Sequence, residues 1–175
     1  MEHPETVTFV DLLKTAVGRR NVLTSQRRLK SYQTGYRMGA GKALAAVIPA
    51  TLVEFWRVLK ICIEHDKIVI VQAANTGLNG GSTPDGDDYD RDIVIISTLK
   101  IDKIVLLNEG HQVLGFAGST LYKLEDALAE IDRSPHSIIG SSCIGASIVG
   151  GVCNNSGGSL AVSYTHLTLP TIYSV

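Results

Sequence analysis

The stretch "VQAANTGLNGGSTPDG", residues 71–86, decides how this chain is interpreted. It begins at the end of a run of aliphatic residues that is typical of a buried strand, and it then becomes rich in glycine and other small, uncharged residues. A loop without bulky side chains lets another group approach its backbone closely. That group is either a ligand or another segment of the same chain.

A second glycine-rich run, "IGSSCIGASIVGGVCNNSGG", covers residues 139–158 and is almost free of charge. Two such runs suggest one shared ligand. Rows of backbone N–H groups without a side-chain cation suit a phosphate or a diphosphate, because oriented amides stabilise anions. A single glycine-rich loop is more often only a tight turn or a close-packing device, so both interpretations remain open on this pattern alone.

Composition narrows the classes of function. The chain has 175 residues, 45% of them hydrophobic, which suffices for one domain or part of one. Its net charge is −1 and it has no long basic block, so nucleic acid is not expected as a partner. The N-terminus does not resemble a secretory signal, and Pro49 interrupts the longest apolar stretch, so neither a signal peptide nor a transmembrane segment is expected.

Several residues that could suggest a special site have plainer interpretations. The three cysteines, Cys62, Cys143 and Cys153, match no metal or disulfide spacing and are expected to be buried thiols in a reducing compartment. The acidic run at residues 85–92 lacks the glycine and glutamate of a calcium-binding loop and is expected to be a solvated turn, so no metal site is predicted. Trp56 is expected to lie in the core or to pack against another helix.

Hydrophobic periodicity predicts an alternation of helices and strands. The segment 6–18 has a helical pattern that ends at Gly18, and residues 43–72 are typical of strand, helix and strand. Thr51 and Glu54 have the spacing of a capping box at the start of that helix. Three short strands then precede a second helical pattern at residues 119–132, and the whole order favours an α/β or α+β domain. One face of the first long helix is predicted to carry Leu52, Phe55, Leu59, Cys62 and Ile63.

The sequence does not match other known phosphate-binding motifs. The segment "GAGKAL", residues 39–44, resembles the end of a Walker loop, but Tyr36 stands where the first glycine is required and Ala43 where a hydroxyl is required. The three-glycine dinucleotide pattern is absent in strict form from both runs, so a nicotinamide-type fold is not favoured.

Three segments together carry a family resemblance: "PATLVEFWRVLK" at residues 49–60, "VQAANTGLNGGSTPDGDDYDRDIVIISTL" at 71–99 and "PHSIIGSSCIGASIVGGVCNNSGGSL" at 135–160. They resemble the FAD-binding domain of the respiratory, quinone-dependent D-lactate dehydrogenases, flavoproteins of the vanillyl-alcohol-oxidase type. The resemblance implies an α+β fold: the first lobe of a PCMH-type FAD-binding domain, with small mixed sheets, flanking helices and two glycine-rich pyrophosphate loops.

The resemblance also implies a cofactor and its contacts. FAD would place its diphosphate between the two loops, with the Thr76 and Ser82 hydroxyls able to donate as well. No catalytic residue is assigned. The implied cofactor-binding residues are Ala73, Ala74, Asn75, Thr76, Gly77, Gly81, Ser82, Gly140, Ser147 and Gly157.

The parent activity implied by the resemblance is oxidation of D-lactate to pyruvate, with electrons passed to quinone at the cytoplasmic side of the inner membrane. The expected division is a helical segment at residues 1–31, a partial FAD-binding domain at 32–161, and a tail at 162–175 that resembles translated adapter sequence. Membrane contact is expected to lie outside this chain, and the chain alone is expected to be inactive. Two alternatives stay open: a non-catalytic nucleotide-binding module, or the FAD domain of a related 2-hydroxy-acid dehydrogenase.

Overall fold

A computed structural model describes residues 8–135, 145–154 and 156. Helices and strands alternate along most of this length, as the periodicity predicts, and the fold is α+β. In chain order the elements are α1 (Phe9–Val17), β1 (Val22–Leu23), α2 (Gln26–Gln33), β2 (Ala45–Val47), α3 (Leu52–Glu64), β3 (Ile68–Gln72), β4 (Ile93–Ser97), β5 (Ile104–Leu107), β6 (Gln112–Gly115), α4 (Leu121–Ala129) and α5 (Ile148–Cys153).

The main sheet has four strands in the order β1-β2-β4-β3. Strand β4 runs parallel to both β2 and β3, whereas β1 is antiparallel to β2. Gln72, the last residue of β3, pairs with Ser97, the last residue of β4. The glycine-rich loop therefore leaves the sheet at the shared carboxyl edge of two parallel strands, the edge at which open α/β sheets bind ligands.

Helices cover both faces of this sheet. Side chains alternate between the faces along β4, so Val94 and Ile96 pack with Leu13 of α1 and Val58 of α3. On the opposite face, the aliphatic side chains of β4 pack with Leu29 of α2. Every residue of β4 is buried, which explains the unbroken apolar sequence "IVIIS" at the centre of a parallel sheet.

Helix α3 begins with the predicted cap. The Thr51 hydroxyl accepts a hydrogen bond from the Glu54 backbone N–H at 3.1 Å, and the Glu54 carboxylate accepts one from the Ala50 N–H at 2.6 Å. The reciprocal bond thus reaches the residue before the N-cap instead of the N-cap itself. The first bond satisfies a donor that the first helical turn would otherwise leave unpaired, and the second ties the helix to the residue that precedes its N-cap.

The prediction of which residues form the apolar face of α3 is partly wrong. Phe55, Leu59 and Cys62 pack inward, but Leu52 and Ile63 are 58% and 67% exposed. The buried arc is centred on Val58 and Cys62, both fully buried, and at 100° per residue Leu52 and Ile63 lie beyond its edge.

Trp56 is also not in the core. It is 59% exposed because it lies on the solvent side of α3, where the Lys60 ammonium sits 5.6 Å from the ring centroid. A pairing of this kind is typical of exposed cation–π contacts.

The two cysteines that the structure describes differ in their exposure to solvent. Cys62 is buried, and burial raises the pKa of its thiol to about 11, so it is an inert packing residue near neutral pH. Cys153 is exposed, contrary to the prediction of a buried thiol, because it ends the short helix α5 at the surface. Cys143 lies outside the described residues.

A smaller unit follows the sheet. Strands β5 and β6 form an antiparallel hairpin, and α4 packs against it through Leu121, Leu124 and Leu128. The predicted helical spacing extends to Ile131, but this residue lies beyond the end of α4 and is exposed. Within the described part of the chain, no helix combines the length and the apolar composition needed to cross a membrane.

Candidate cofactor site

The candidate site is the loop at residues 73–82, which begins directly after β3. Ala73, Ala74, Asn75 and Thr76 are half-buried at its start, and Ser82 is half-buried at its end. Gly77 and Gly81 are exposed. The loop is therefore sheltered at its two ends next to the sheet and accessible at its rim, which consists of Gly77 and Gly81.

The backbone N–H groups of residues 73–82 have no protein acceptor among the described residues. After Gln72, the next backbone N–H that donates a hydrogen bond to a described residue is that of Thr83, to the Gly80 carbonyl at 3.1 Å. Unpaired amides along a short loop form a concave row of donors that suits an anion. This row is the feature that distinguishes the loop from an ordinary tight turn.

The glycines of the loop divide into two kinds. A β-carbon built on Gly77 or Gly81 would meet no atom within 4 Å, so both positions border open space. Gly80 differs: its φ is +71°, and a β-carbon there would lie 3.1 Å from the Met38 carbonyl oxygen. Open space and close packing therefore both occur within one loop.

The close packing involves a segment that sequence reasoning did not connect with the loop. A β-carbon on Gly39 would lie 2.2 Å from the Thr83 hydroxyl oxygen, and one on Gly41 would lie 2.5 Å from the Gly86 carbonyl oxygen. Gly41 and Gly86 also form a parallel β-bridge. The glycines of "GAGKAL" thus serve contact between two backbones. No local pattern reveals this role, because the partner lies far along the chain.

Gln72 joins the two ends of the loop through its side chain. Its side-chain amide donates to the Ser82 carbonyl oxygen at 2.7 Å and to the Tyr32 carbonyl oxygen at 2.9 Å, and the residue is only 2% exposed. Sequence reasoning missed Gln72, although a polar residue that ends an aliphatic strand was the available signal.

Asn75 adds a second tie. It has a φ of +54°, which asparagine tolerates better than most residues, and its amide donates to the Thr34 carbonyl oxygen at 2.9 Å. The Ser82 hydroxyl donates to the Asn75 side-chain oxygen at 2.9 Å. The hydroxyl hydrogen of Ser82 is thus used inside the loop in this conformation, whereas the Thr76 hydroxyl makes no hydrogen bond with any described residue.

Of the second predicted wall, the structure describes only Ser147; Gly140 and Gly157 lie outside the described residues. Ser147 is buried and is the N-cap of α5, accepting a hydrogen bond from the Gly150 N–H at 3.1 Å. Neighbouring backbone bonds join this segment to the start of α4. Among the residues described, no hydrogen bond links Ser147 to the loop at 73–82.

Charge is absent from the loop and its flanks, since residues 71–84 include no ionisable side chain. Lys42, which lies next to the segment that packs against the loop, pairs with Asp87 at 2.5 Å, and Lys67, at the opposite end of β3 from the loop, pairs with Asp92 at 2.7 Å. The hydrogen bond from Lys42 lowers the pKa of Asp87. Any anion at the loop would therefore be held mainly by backbone amides.

The residues fit the diphosphate of a dinucleotide cofactor. The backbone donors of the loop have no partner in the part of the chain that the structure describes, the loop has no carboxylate, and the positions at Gly77 and Gly81 leave room beside the backbone. No group of three or more His, Cys, Asp or Glu side chains suited to a metal ion occurs in the part of the chain that the structure describes.

Comparison with protein families agrees with this geometry. The family described as "FAD binding domain" matches residues 43–169, well over half of the chain. The chain belongs to the FAD-binding domain family. FAD is therefore the cofactor of this domain, and the α+β first lobe predicted from the sequence is confirmed.

Relatives of known activity are similar over most of the chain. Quinone-dependent D-lactate dehydrogenases from Haemophilus influenzae and Escherichia coli are each 56% identical over 164 residues, which is 92% of this chain and 29% of the relative. A solved structure of alkyldihydroxyacetonephosphate synthase has a TM-score of 0.76 at 16% identity, covering 93% of this chain and 32% of that one. The chain thus spans less than a third of the length of these relatives.

Proposed function

We propose that this chain forms the FAD-binding part of a quinone-dependent D-lactate dehydrogenase. The observation that carries the proposal is the row of backbone N–H groups at residues 73–82, which have no acceptor among the described residues and border open space at Gly77 and Gly81. The 56% identity to two such dehydrogenases supports D-lactate as the substrate and quinone as the electron acceptor.

The first loop would hold the diphosphate through its backbone. Its glycines remove the β-carbons that would block the phosphate oxygens, and the uncharged flanks leave the amides as the principal donors. A second wall would come from the second glycine-rich run. The residues proposed to line the site are Ala73, Ala74, Asn75, Thr76, Gly77, Gly81 and Ser82 in the first wall, and Gly140, Ser147 and Gly157 in the second.

When bound, FAD would supply the redox chemistry: D-lactate would lose a hydride from its α-carbon and a proton from its hydroxyl group to give pyruvate, and quinone would finally take up the two electrons. The residues of this chain would bind and orient the cofactor, and none is proposed to act as the base. Because quinone is dissolved in the membrane, we place the parent protein peripherally at the cytoplasmic face of the inner membrane.

A hybrid protein tests the proposal. In it, the segment of this chain that matches the Escherichia coli dehydrogenase, without residues 162–175, replaces the corresponding segment of that enzyme. We expect the purified hybrid to contain one FAD per chain, to lose its flavin absorption band on anaerobic addition of D-lactate, and to recover the band when quinone is added. The unaltered Escherichia coli enzyme is the reference. A folded hybrid without flavin, or one whose flavin is not bleached by D-lactate, would contradict the proposal.

A further inference from the structure

We propose that Gln72 is a positioning residue for the cofactor. Its side-chain amide ties the two ends of the glycine-rich loop to each other and to the end of helix α2. These ties hold the row of backbone amides in a conformation that can bind the cofactor. The inference rests on the proposed FAD function and assigns the residue that shapes that site.

The geometry shows a three-way junction. Gln72 precedes the loop and Ser82 ends it, and the 2.7 Å bond between the Gln72 amide and the Ser82 carbonyl oxygen joins these two points. The second bond of the same amide, at 2.9 Å, reaches the carbonyl oxygen of Tyr32 in the last turn of α2. A helix leaves its last carbonyls without partners inside the helix, so the bond also satisfies an otherwise unpaired acceptor.

Asn75 reinforces the junction. Its amide donates to the Thr34 carbonyl oxygen, just beyond α2, and its side-chain oxygen accepts from the Ser82 hydroxyl. The start and the end of the loop are thus both tied to the same helix end. The rim at Gly77 and Gly81 is left free of such ties in the described structure.

A tie of this kind is needed because the loop has little else to order it. Glycine and other small residues leave many backbone conformations accessible, and ordering them on binding would weaken affinity. Holding the ends together before the ligand arrives lowers that ordering cost. Gln72 can do so with precision, because its own backbone is fixed by pairing with Ser97 in the parallel sheet.

Only a side chain with two N–H donors can make both bonds at this position. Methionine has nearly the same length and shape as glutamine but donates no hydrogen bond, so Gln72→Met removes the tie while filling the space. Gln33 offers a matched control. It is also a buried glutamine with one side-chain bond to the backbone, to the Ala43 carbonyl oxygen at 3.3 Å, but within the described part of the chain no hydrogen bond joins its side chain to residues 73–82.

The test compares Gln72→Met with Gln33→Met, in the 175-residue chain and in the hybrid defined above. The melting temperature and the rate of proteolytic cleavage within residues 73–82 are measured without cofactor; dissociation constants for FAD and ADP are measured by titration of the hybrid. We expect both variants to lower the melting temperature to a similar degree. Only Gln72→Met should speed cleavage of the loop and weaken FAD and ADP by about tenfold, the range expected for losing two neutral hydrogen bonds.

Equal affinity of Gln72→Met and the unsubstituted hybrid for FAD would overturn the inference, and so would equal weakening by both variants. If Gln72→Met does not fold, Gln72→Asn replaces it; this variant keeps an amide on a shorter side chain and should weaken FAD by an intermediate factor. Failure of the unsubstituted hybrid to bind FAD would instead overturn the proposed function. The cleavage rates would then still decide whether Gln72 orders the loop.

Discussion

Gly80 and Gly81 are neighbours in the sequence, yet the absence of a β-carbon has a different purpose at each. At Gly80 the backbone has a positive φ, and the missing β-carbon makes room for the Met38 carbonyl. At Gly81 the missing β-carbon borders only open space within 4 Å. The first glycine is required by the fold, whereas the second is required by nothing in the described protein and is available to a ligand.

This contrast extends to two sets of glycines. The packed base consists of Gly39, Gly41 and Gly80, at which a β-carbon would approach other backbone or side-chain atoms; the open rim consists of Gly77 and Gly81. A glycine-rich sequence therefore cannot be assigned one purpose as a whole. The two sets also predict separable effects, because substitutions in the base change stability and substitutions in the rim change ligand affinity.

The largest effect is expected at the open rim. Gly77→Val and Gly81→Val should each weaken FAD binding by about 100-fold or more, roughly 2.8 kcal/mol, because a branched side chain would occupy the space beside the donor amides. Neither glycine has a positive φ, so backbone strain contributes nothing, and the melting temperature without cofactor should barely change. Flavin content and FAD titration of the hybrid provide the measurement. Stoichiometric flavin in both variants would refute the assignment of the rim.

A substitution in the packed base should act on stability. In Gly41→Ala the new methyl group would lie 2.5 Å from the Gly86 carbonyl oxygen and within 3 Å of the backbone of Pro84 and Asp85. Forcing these backbones apart should lower the free energy of unfolding by about 2 kcal/mol, as overpacking commonly does. Denaturant unfolding without FAD measures the loss, with Gly77→Ala as the control in open space. Equal stability of the two variants would remove the distinction between base and rim.

A smaller loss is expected at Gly80, the member of the packed base that is next to the rim in the sequence. Gly80→Ala should lower the free energy of unfolding by about 1 kcal/mol. A positive φ is strained for alanine, and its methyl group would lie 3.1 Å from the Met38 carbonyl oxygen. Gly80→Asn is the informative companion, since asparagine tolerates the left-handed conformation better and should recover part of the loss. If alanine and asparagine are equally destabilising in thermal melts, steric contact and not backbone conformation dominates at this position.

Much of the fold could be predicted because its signals are local. The cap at Thr51, the end of α1 at Gly18 and the aliphatic strands β3 and β4 all follow from residues next to one another in the sequence. The alternation of these elements favoured an α/β or α+β domain, and the family resemblance implied α+β. Periodicity placed the centre of the α3 face correctly but not its edges, since a small angular difference decides whether Leu52 is covered.

The site was predicted only in part, because its construction depends on distant contacts. Composition indicated that residues 73–82 suit an anion, and the family resemblance supplied FAD. Neither indicated that Gln72 reaches Tyr32, or that Gly41 packs against Gly86, since each pair is joined only by the folded chain. The donor expected at Ser82 is likewise used by Asn75, a bond that no sequence pattern shows.

The smallest effect is expected for Lys42 and Lys67. Lys42→Ala and Lys67→Ala should change the FAD dissociation constant by no more than about twofold, because each ammonium pairs with a local carboxylate, the exposed charge of Lys42 is screened by solvent, and Lys67 lies at the end of β3 opposite the loop. Titration of the hybrid at low and at physiological salt measures this, and a salt-independent affinity is expected for both variants. A tenfold loss in either variant would show that a cation shares the binding of the diphosphate. The backbone amides of the loop would then not be sufficient to bind the diphosphate. A cation would join the open rim as a determinant of FAD affinity.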